Sequence, residues 1–158
     1  MTETDFLSFI DQHQAIIHRI CRLYCDSQED REDLCQEIIF QLWRSMKGFD
    51  QRAKPTTWMY QIALNTAITD LRKKKRQADL TPILPQATTS EDDEEQVKYD
   101  ALRGALKQLS EGDRSLMALY LDNLSYQEMA DITGLSVSNI GVKLNRIKQK
   151  LQTILNLK

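Results

Sequence analysis

Glycine is scarce in this 158-residue chain: there are five, and no two are adjacent. Isolated glycines cannot build the phosphate-cradling loops of nucleotide-binding motifs, which need several within a few residues. Histidine is scarcer, with two residues, and neither pairs with an acid or serine in a catalytic spacing. No catalytic constellation and no cofactor are therefore expected, and the chain reads as a non-enzyme. Three cysteines make no disulfide framework, which points to a cytoplasmic setting. No run of about 18 apolar residues occurs, so no transmembrane helix is expected. The opening MTETDFLSFID lacks the basic n-region of a secretory signal. Strand-like alternation is absent as well, and the expected fold is all-α.

What the chain has is charge, and it is segregated. The formal net charge of -2 argues at first sight against nucleic acid. By segment, residues 1–51 carry -5, residues 52–76 carry +6 and residues 77–101 carry -6. Residues 102–131 carry -2 and residues 132–158 carry +5. Two separate basic blocks suggest two DNA contacts. The acidic first third needs a different partner.

Three segments follow from composition. Residues 77–96, QADLTPILPQATTSEDDEEQ, hold two prolines, six acids and no base, and read as a linker. Extended, it spans at most roughly 65–70 Å, about two turns of duplex DNA at roughly 34–36 Å each. The expected organisation is two small helical domains, 1–76 and 97–158, joined by this linker. In the first, Phe6, Phe9, Ile10, His13, Ile16, Ile17, Ile20, Leu23 and Tyr24 form one 3.6-period face of a single helix. A second helix spans 30–47 with Leu34, Ile38 and Leu42 in line, and a third runs from Trp58 to about Arg76 behind Pro55. In the second domain, helices are expected over 97–109 and 110–122.

Residues 124–151, LSYQEMADITGLSVSNIGVKLNRIKQKL, read as a helix-turn-helix, whose second helix can enter the DNA major groove. Ser125 and Glu128 have the spacing of a capping box. Gly134 stands where a left-handed turn is needed, and Ser136 is the expected N-cap of the second helix. Val137, Ile140, Leu144, Ile147, Leu151 and Ile154 recur at spacings of 3 and 4, one buried face. A packed C-terminal helix with a solvated basic side would show the same pattern.

The third helix carries Gln61, Asn65, Thr69, Arg72 and Arg76 as a polar stripe that turns basic, thickened by Lys73, Lys74 and Lys75. Phe49, Trp58 and Tyr60 lie beside it. Aromatics next to a basic surface suit single-stranded DNA, where stacking contributes about 1–3 kcal/mol per base; they also suit a plain hydrophobic core, and Tyr60 is read as core. The second helix places Asp33, Gln36 and Glu37 on one side, beside Ile39 and Phe40. That half-acidic, half-apolar face is either a protein-docking surface or a capped surface helix. His18, Cys21 and Cys25 form H-x2-C-x3-C, with Cys35 one helix on. Zinc needs three or four converging ligands, so no metal is expected and Cys21 reads as a small core residue. Thiol reactivity or bound zinc would reveal any further role.

Together these parts resemble a bacterial extracytoplasmic-function (ECF) RNA polymerase sigma factor of the short type, with sigma regions 2 and 4 only. D-L-C-Q-E at 33–37, T-W-M-Y-Q-I-A-L-N at 57–65 and LSYQEMA at 124–130 carry the resemblance in series. It implies that Asp33, Gln36, Glu37, Ile39 and Trp43 dock on the clamp helices of the polymerase beta-prime subunit. Phe49, Trp58, Gln61 and Asn65 would serve the -10 element and melting, with a flipped base captured near Asn65. Arg72, Lys73 and Arg76 would hold the backbone of that strand. Ser136, Ser138, Asn139, Lys143, Asn145, Arg146 and Lys150 would read the -35 element as duplex. The implied partners are core polymerase (clamp helices and beta flap), promoter DNA and an anti-sigma factor, with no small-molecule substrate. The acidic linker would follow the RNA exit path.

The chain departs from that pattern at Gly141-Val142, where many relatives have Arg or Lys followed by Ser. A central glycine costs about 1 kcal/mol of helix stability relative to alanine. Asn139 and Asn145 are alternative readers, since asparagine can pair with adenine. A free-standing regulator with one DNA-binding domain is the competing reading, and would bind specific DNA tightly without polymerase.

Overall fold

The computed structural model describes residues 2–49, 52–80 and 94–156. Among them stand eight α-helices and one 3-10 turn, with no strand. The helices are α1 (Glu3–Gln12), α2 (Gln14–Tyr24), α3 (Gln28–Ser45), α4 (Pro55–Leu80), α5 (Glu94–Lys107), α6 (Glu111–Leu121), α7 (Tyr126–Thr133) and α8 (Val137–Leu155). The 3-10 turn Met46–Gly48 follows α3. The chain divides into two compact units, one built on residues 1–77 and the other on residues 78–130 and 134–158.

In the first unit the apolar periodicity closes on itself. Phe6, Phe9, Ile10, Ile17 and Ile20 from α1 and α2 meet Leu34, Ile38 and Leu42 of α3 and Met59, Ala63, Leu64 and Ala67 of α4, all buried. Truncating a side chain such as Ile38 to alanine costs about 2–5 kcal/mol in such a core. The single first helix expected from residues 6–24 is two. The backbone leaves helical geometry at His13 (φ -116°, ψ 19°), and the His13 N–H reaches the carbonyls of both Phe9 and Ile10. The apolar stripe survives the bend, because Ile16 and Ile17 resume it on α2. Ser27 caps α3, its hydroxyl accepting from the Asp30 N–H at 3.1 Å.

Helices encroach on the expected linker. The Gln77–Leu80 stretch continues α4, since it holds no proline or glycine to break a helix. At the other side α5 begins at Glu94 rather than Val97, and acids at a helix start suit its dipole. The rest of the expected linker, residues 81–93, lies outside the described residues.

In the second unit, Ala105, Leu106 and Leu109 of α5, Leu116, Met117 and Leu119 of α6 and Met129 of α7 are buried with α8 residues Ile140, Leu144, Ile147 and Leu151. Arg114 is buried too, and its Nε donates to the Leu106 carbonyl at 3.1 Å. Val137, expected on the buried face of α8, is exposed, and Ile154 is half-buried.

Candidate protein and nucleic-acid interfaces

Helix α3 has two working faces. Leu34, Ile38 and Leu42 point into the core, spaced four apart. Off that stripe, Ile39, Phe40 and Trp43 are exposed, Phe40 at 51%. They are large apolar side chains that solvent would not select. Trp43 stands edge-on to Phe6 at 5.3 Å between ring centroids, and the Arg44 guanidinium lies 5.8 Å from the Phe40 ring. Phe6, Gln36, Ile39, Phe40 and Trp43 line an apolar hollow of about 380 Å³. Ile39, Phe40 and Trp43 were expected on this face; Phe6, contributed by α1, was not.

Asp33 and Glu37 look the other way, into a groove of about 600 Å³ between α3 and α4. Its opposite wall is Asn65, Thr66, Thr69 and Lys73. Two residue sets expected to serve different partners, polymerase and the -10 strand, thus share one groove. Thr66 and Thr69 turn their hydroxyls back onto the carbonyls of Ile62 and Asn65, at 2.7 and 2.8 Å. That leaves the exposed Asn65 amide as the hydrogen-bonding group of this stretch that is not folded back on α4.

The basic end of α4 is not uniform. Arg72, Lys73 and Arg76 are exposed. Lys74 instead bridges Asp70 at 3.1 Å and Asp30 at 3.5 Å, tying α4 to the start of α3. Burial opposes its charge, but the hydrogen bond it donates to Asp70 and the surrounding anions outweigh it and hold the ammonium pKa above its ordinary value. Gln61 lies one turn before Asn65 on the same helix.

Trp58 requires a correction. It is 8% exposed, its ring stacked on Phe49 at 4.8 Å with an interplanar angle of 26°, and near Phe9 at 6.1 Å. Buried between two phenylalanines, it cannot offer a face to a base. It backs Phe49, which is the half-exposed outer member of the stack. The cause is local: Trp58 falls in the first turn of α4, where its ring folds toward α1.

In the second unit the helix-turn-helix is assembled by its capping residues. The Ser125 hydroxyl accepts from the Glu128 N–H, and the Glu128 carboxylate accepts from the Ser125 N–H, both at 3.1 Å. Gly134 ends α7 in the left-handed region at φ 80°. The Ser136 hydroxyl accepts from the Asn139 N–H at 3.1 Å and starts α8. Ser138, Asn139, Asn145 and Arg146 are exposed on the side away from the core, with Val142 at 52% among them, and Lys143 is half-buried. Toward the end of α8 the charges engage groups of their own unit. Lys148 sits 4.1 Å above the Tyr120 ring, and the Lys150 ammonium donates to the Gln108 carbonyl at 3.4 Å. Lys150, expected on the DNA side, is thus engaged with its own unit.

Comparison with known proteins covers both units. The family model for sigma-70 region 2 matches residues 9–77, and that for sigma-70 region 4 matches residues 99–151. The ECF RNA polymerase sigma factor SigW of Bacillus subtilis (strain 168) is 24% identical over 162 residues, covering 93% of this chain and 87% of its own. SigM of the same organism, also an ECF RNA polymerase sigma factor, is 26% identical over 153 residues, covering 91% and 93%. Among solved structures, the sigma factor RpoE from Bartonella quintana, crystallised with the anti-sigma factor NepR, is similar in fold. Its TM-score is 0.73 at 21% identity, over 98% of both chains.

Proposed function

The chain belongs to the sigma-70 family as an extracytoplasmic-function RNA polymerase sigma factor, and from that premise we propose how its residues divide the work of initiation. A sigma factor binds core polymerase and directs it to promoters. The outer face of α3 is the proposed docking surface: Phe40, Ile39 and Trp43 supply buried contact area with Gln36 beside them, and Asp33 and Glu37 add a polar contact from the groove on the other side of the helix. The exposed apolar hollow on an acidic helix carries this reading, because a DNA-binding protein acting alone has no use for it.

Asn65, with Phe49 as the stacking ring and Trp58 behind it, is the proposed reader of a flipped -10 base. Arg72, Lys73 and Arg76 hold the phosphates of that strand. In the second unit Ser138, Asn139, Asn145 and Arg146 face the major groove of the -35 element, with Lys143 beside them. The protein performs no chemistry of its own and works in the cytoplasm. No helix among the described residues is long and apolar enough to cross a membrane. An anti-sigma factor that covers the α3 face would hold the protein inactive; the similar RpoE was crystallised with an anti-sigma factor, which supports a partner of that kind.

Run-off transcription with purified core polymerase and a pool of promoter fragments tests the reading. Initiation that requires this chain is expected; a chain that neither joins core nor directs initiation sinks it. In the same assay Asn65→Ala should reduce promoter opening more than -35 duplex binding. Equal losses would remove Asn65 from the base pocket.

A further inference from the structure

We propose that Cys21 and Cys35 form a hydroperoxide-reactive dithiol that closes to a disulfide between α2 and α3. The Cys35 thiol donates to the Cys21 sulfur at 2.9 Å, with no covalent bond between them. A disulfide bond is about 2.0 Å long, so closure shortens the gap by roughly 0.9 Å. The sulfurs are already placed for bonding.

The two thiols differ in access, as a reactive and a resolving thiol should. Cys21 is 1% exposed. Cys35 is half-buried and lines a cleft of about 370 Å³ with His18, Arg22 and Arg31, and with Glu32 as its one acid. His18 Nδ1 lies 3.7 Å from the Cys35 sulfur and forms the polar side of the cleft beside it. Arg31 is fixed by the carbonyls of Cys25 and Asp26, at 3.3 Å each, so its positive charge stays at the cleft. Burial pushes the Cys21 thiol far above its ordinary value, so it remains protonated until it reacts. Cys25 stands apart: it is buried, its thiol donates to the Asp30 carbonyl at 3.6 Å, and burial pushes its pKa up to about 11.

The chemistry balances with a hydroperoxide as oxidant. The Cys35 sulfur attacks the terminal oxygen, the O–O bond breaks, and the alkoxide leaves as alcohol with the proton given up by Cys35. Cys35 is now a sulfenic acid. The Cys21 sulfur attacks the Cys35 sulfur, the S–O bond breaks, and hydroxide leaves as water with the Cys21 proton. Two thiols are oxidised to one disulfide, and the hydroperoxide is reduced to an alcohol and water. Because the sulfurs already touch, the bond holds α3 where it stands. It staples the first unit across a short loop and constrains its unfolded state.

The reduced full-length protein, treated with stoichiometric hydrogen peroxide and digested with trypsin without reduction, tests the proposal. Arg22 and Arg31 place the three cysteines in separate tryptic peptides, so the partner is unambiguous. A Cys21–Cys35 linked peptide is expected, reversed by dithiothreitol, with the intact mass lower by two hydrogens and Cys25 still open to alkylation. The thermal unfolding midpoint of the oxidised protein should be higher than that of the reduced one. Cys35→Ser should abolish the link and Cys25→Ser preserve it. Were a variant to misfold, the pattern of thiol loss in the unaltered chain would still decide. No linked peptide, a link through Cys25, Cys35 driven to sulfinic acid with Cys21 untouched, or a lower midpoint on oxidation would each overturn the proposal.

Discussion

Two glycines of the helix-turn-helix make opposite demands on the same substitution. Gly134 sits at φ 80°, where any side chain is strained although the space around it is open. Gly134→Ala should therefore destabilise the second unit by about 1 kcal/mol. Gly141 lies inside α8 with ordinary helical geometry, and an added Cβ would meet the Tyr126 ring at 3.6 Å, a normal contact. Gly141→Ala should instead stabilise by about 0.5–1 kcal/mol. A 1 kcal/mol change in a unit of this size moves the unfolding midpoint by roughly 4–8 °C, so thermal denaturation of the two variants should shift in opposite directions. Shifts of the same sign would contradict the assigned backbone geometry. Gly134 was legible in the sequence because a turn residue and two flanking caps agreed; the tolerance at Gly141 was not, because it depends on where Tyr126 packs.

Helix α3 separates what periodicity reveals from what it hides. The stripe Leu34, Ile38, Leu42 identified the buried face, and all three are fully buried. Phe40 and Trp43 interrupt that period, and their exposure is the property a docking helix needs. Phe40→Ser should leave stability within about 0.5 kcal/mol, as surface substitutions do. If Phe40 anchors the polymerase contact, the same change should weaken core binding by at least about 2 kcal/mol, roughly 30-fold. Unfolding and core-binding measurements on the one variant separate the two effects; unchanged binding would move the docking surface elsewhere. Other features of the elements could not be read from one-dimensional pattern. The bend at His13 leaves the apolar stripe intact, so nothing in the spacing marks it. The inward turn of Trp58 depends on Phe9 and Phe49, 49 and 9 residues away in sequence. The RKKKR run looked uniform, yet Lys74 answers to Asp30 of another helix.

At the scale of the molecule, the decisive quantity is not the net charge of -2 but its distribution. Residues 97–158 carry +3, whereas residues 1–96 carry -5. Phosphate attraction supplies most of the non-specific affinity of a DNA-binding protein and falls steeply with salt. Within the whole chain, anionic groups offset that attraction for the α8 face, unless a partner neutralises them. Core polymerase is such a partner if the acidic face of α3 is covered on docking. A fragment of residues 97–158 should therefore bind a -35 duplex more tightly than the whole chain does in the absence of polymerase. The difference should shrink as salt rises through about one Debye length of screening, roughly 8–10 Å near 0.1–0.15 M. Titration of both proteins against one labelled duplex at several salt concentrations measures this. If fragment and whole chain bind alike at low salt, the acidic segments do not restrain DNA binding. The requirement for polymerase would then rest on the DNA contacts of the first unit instead.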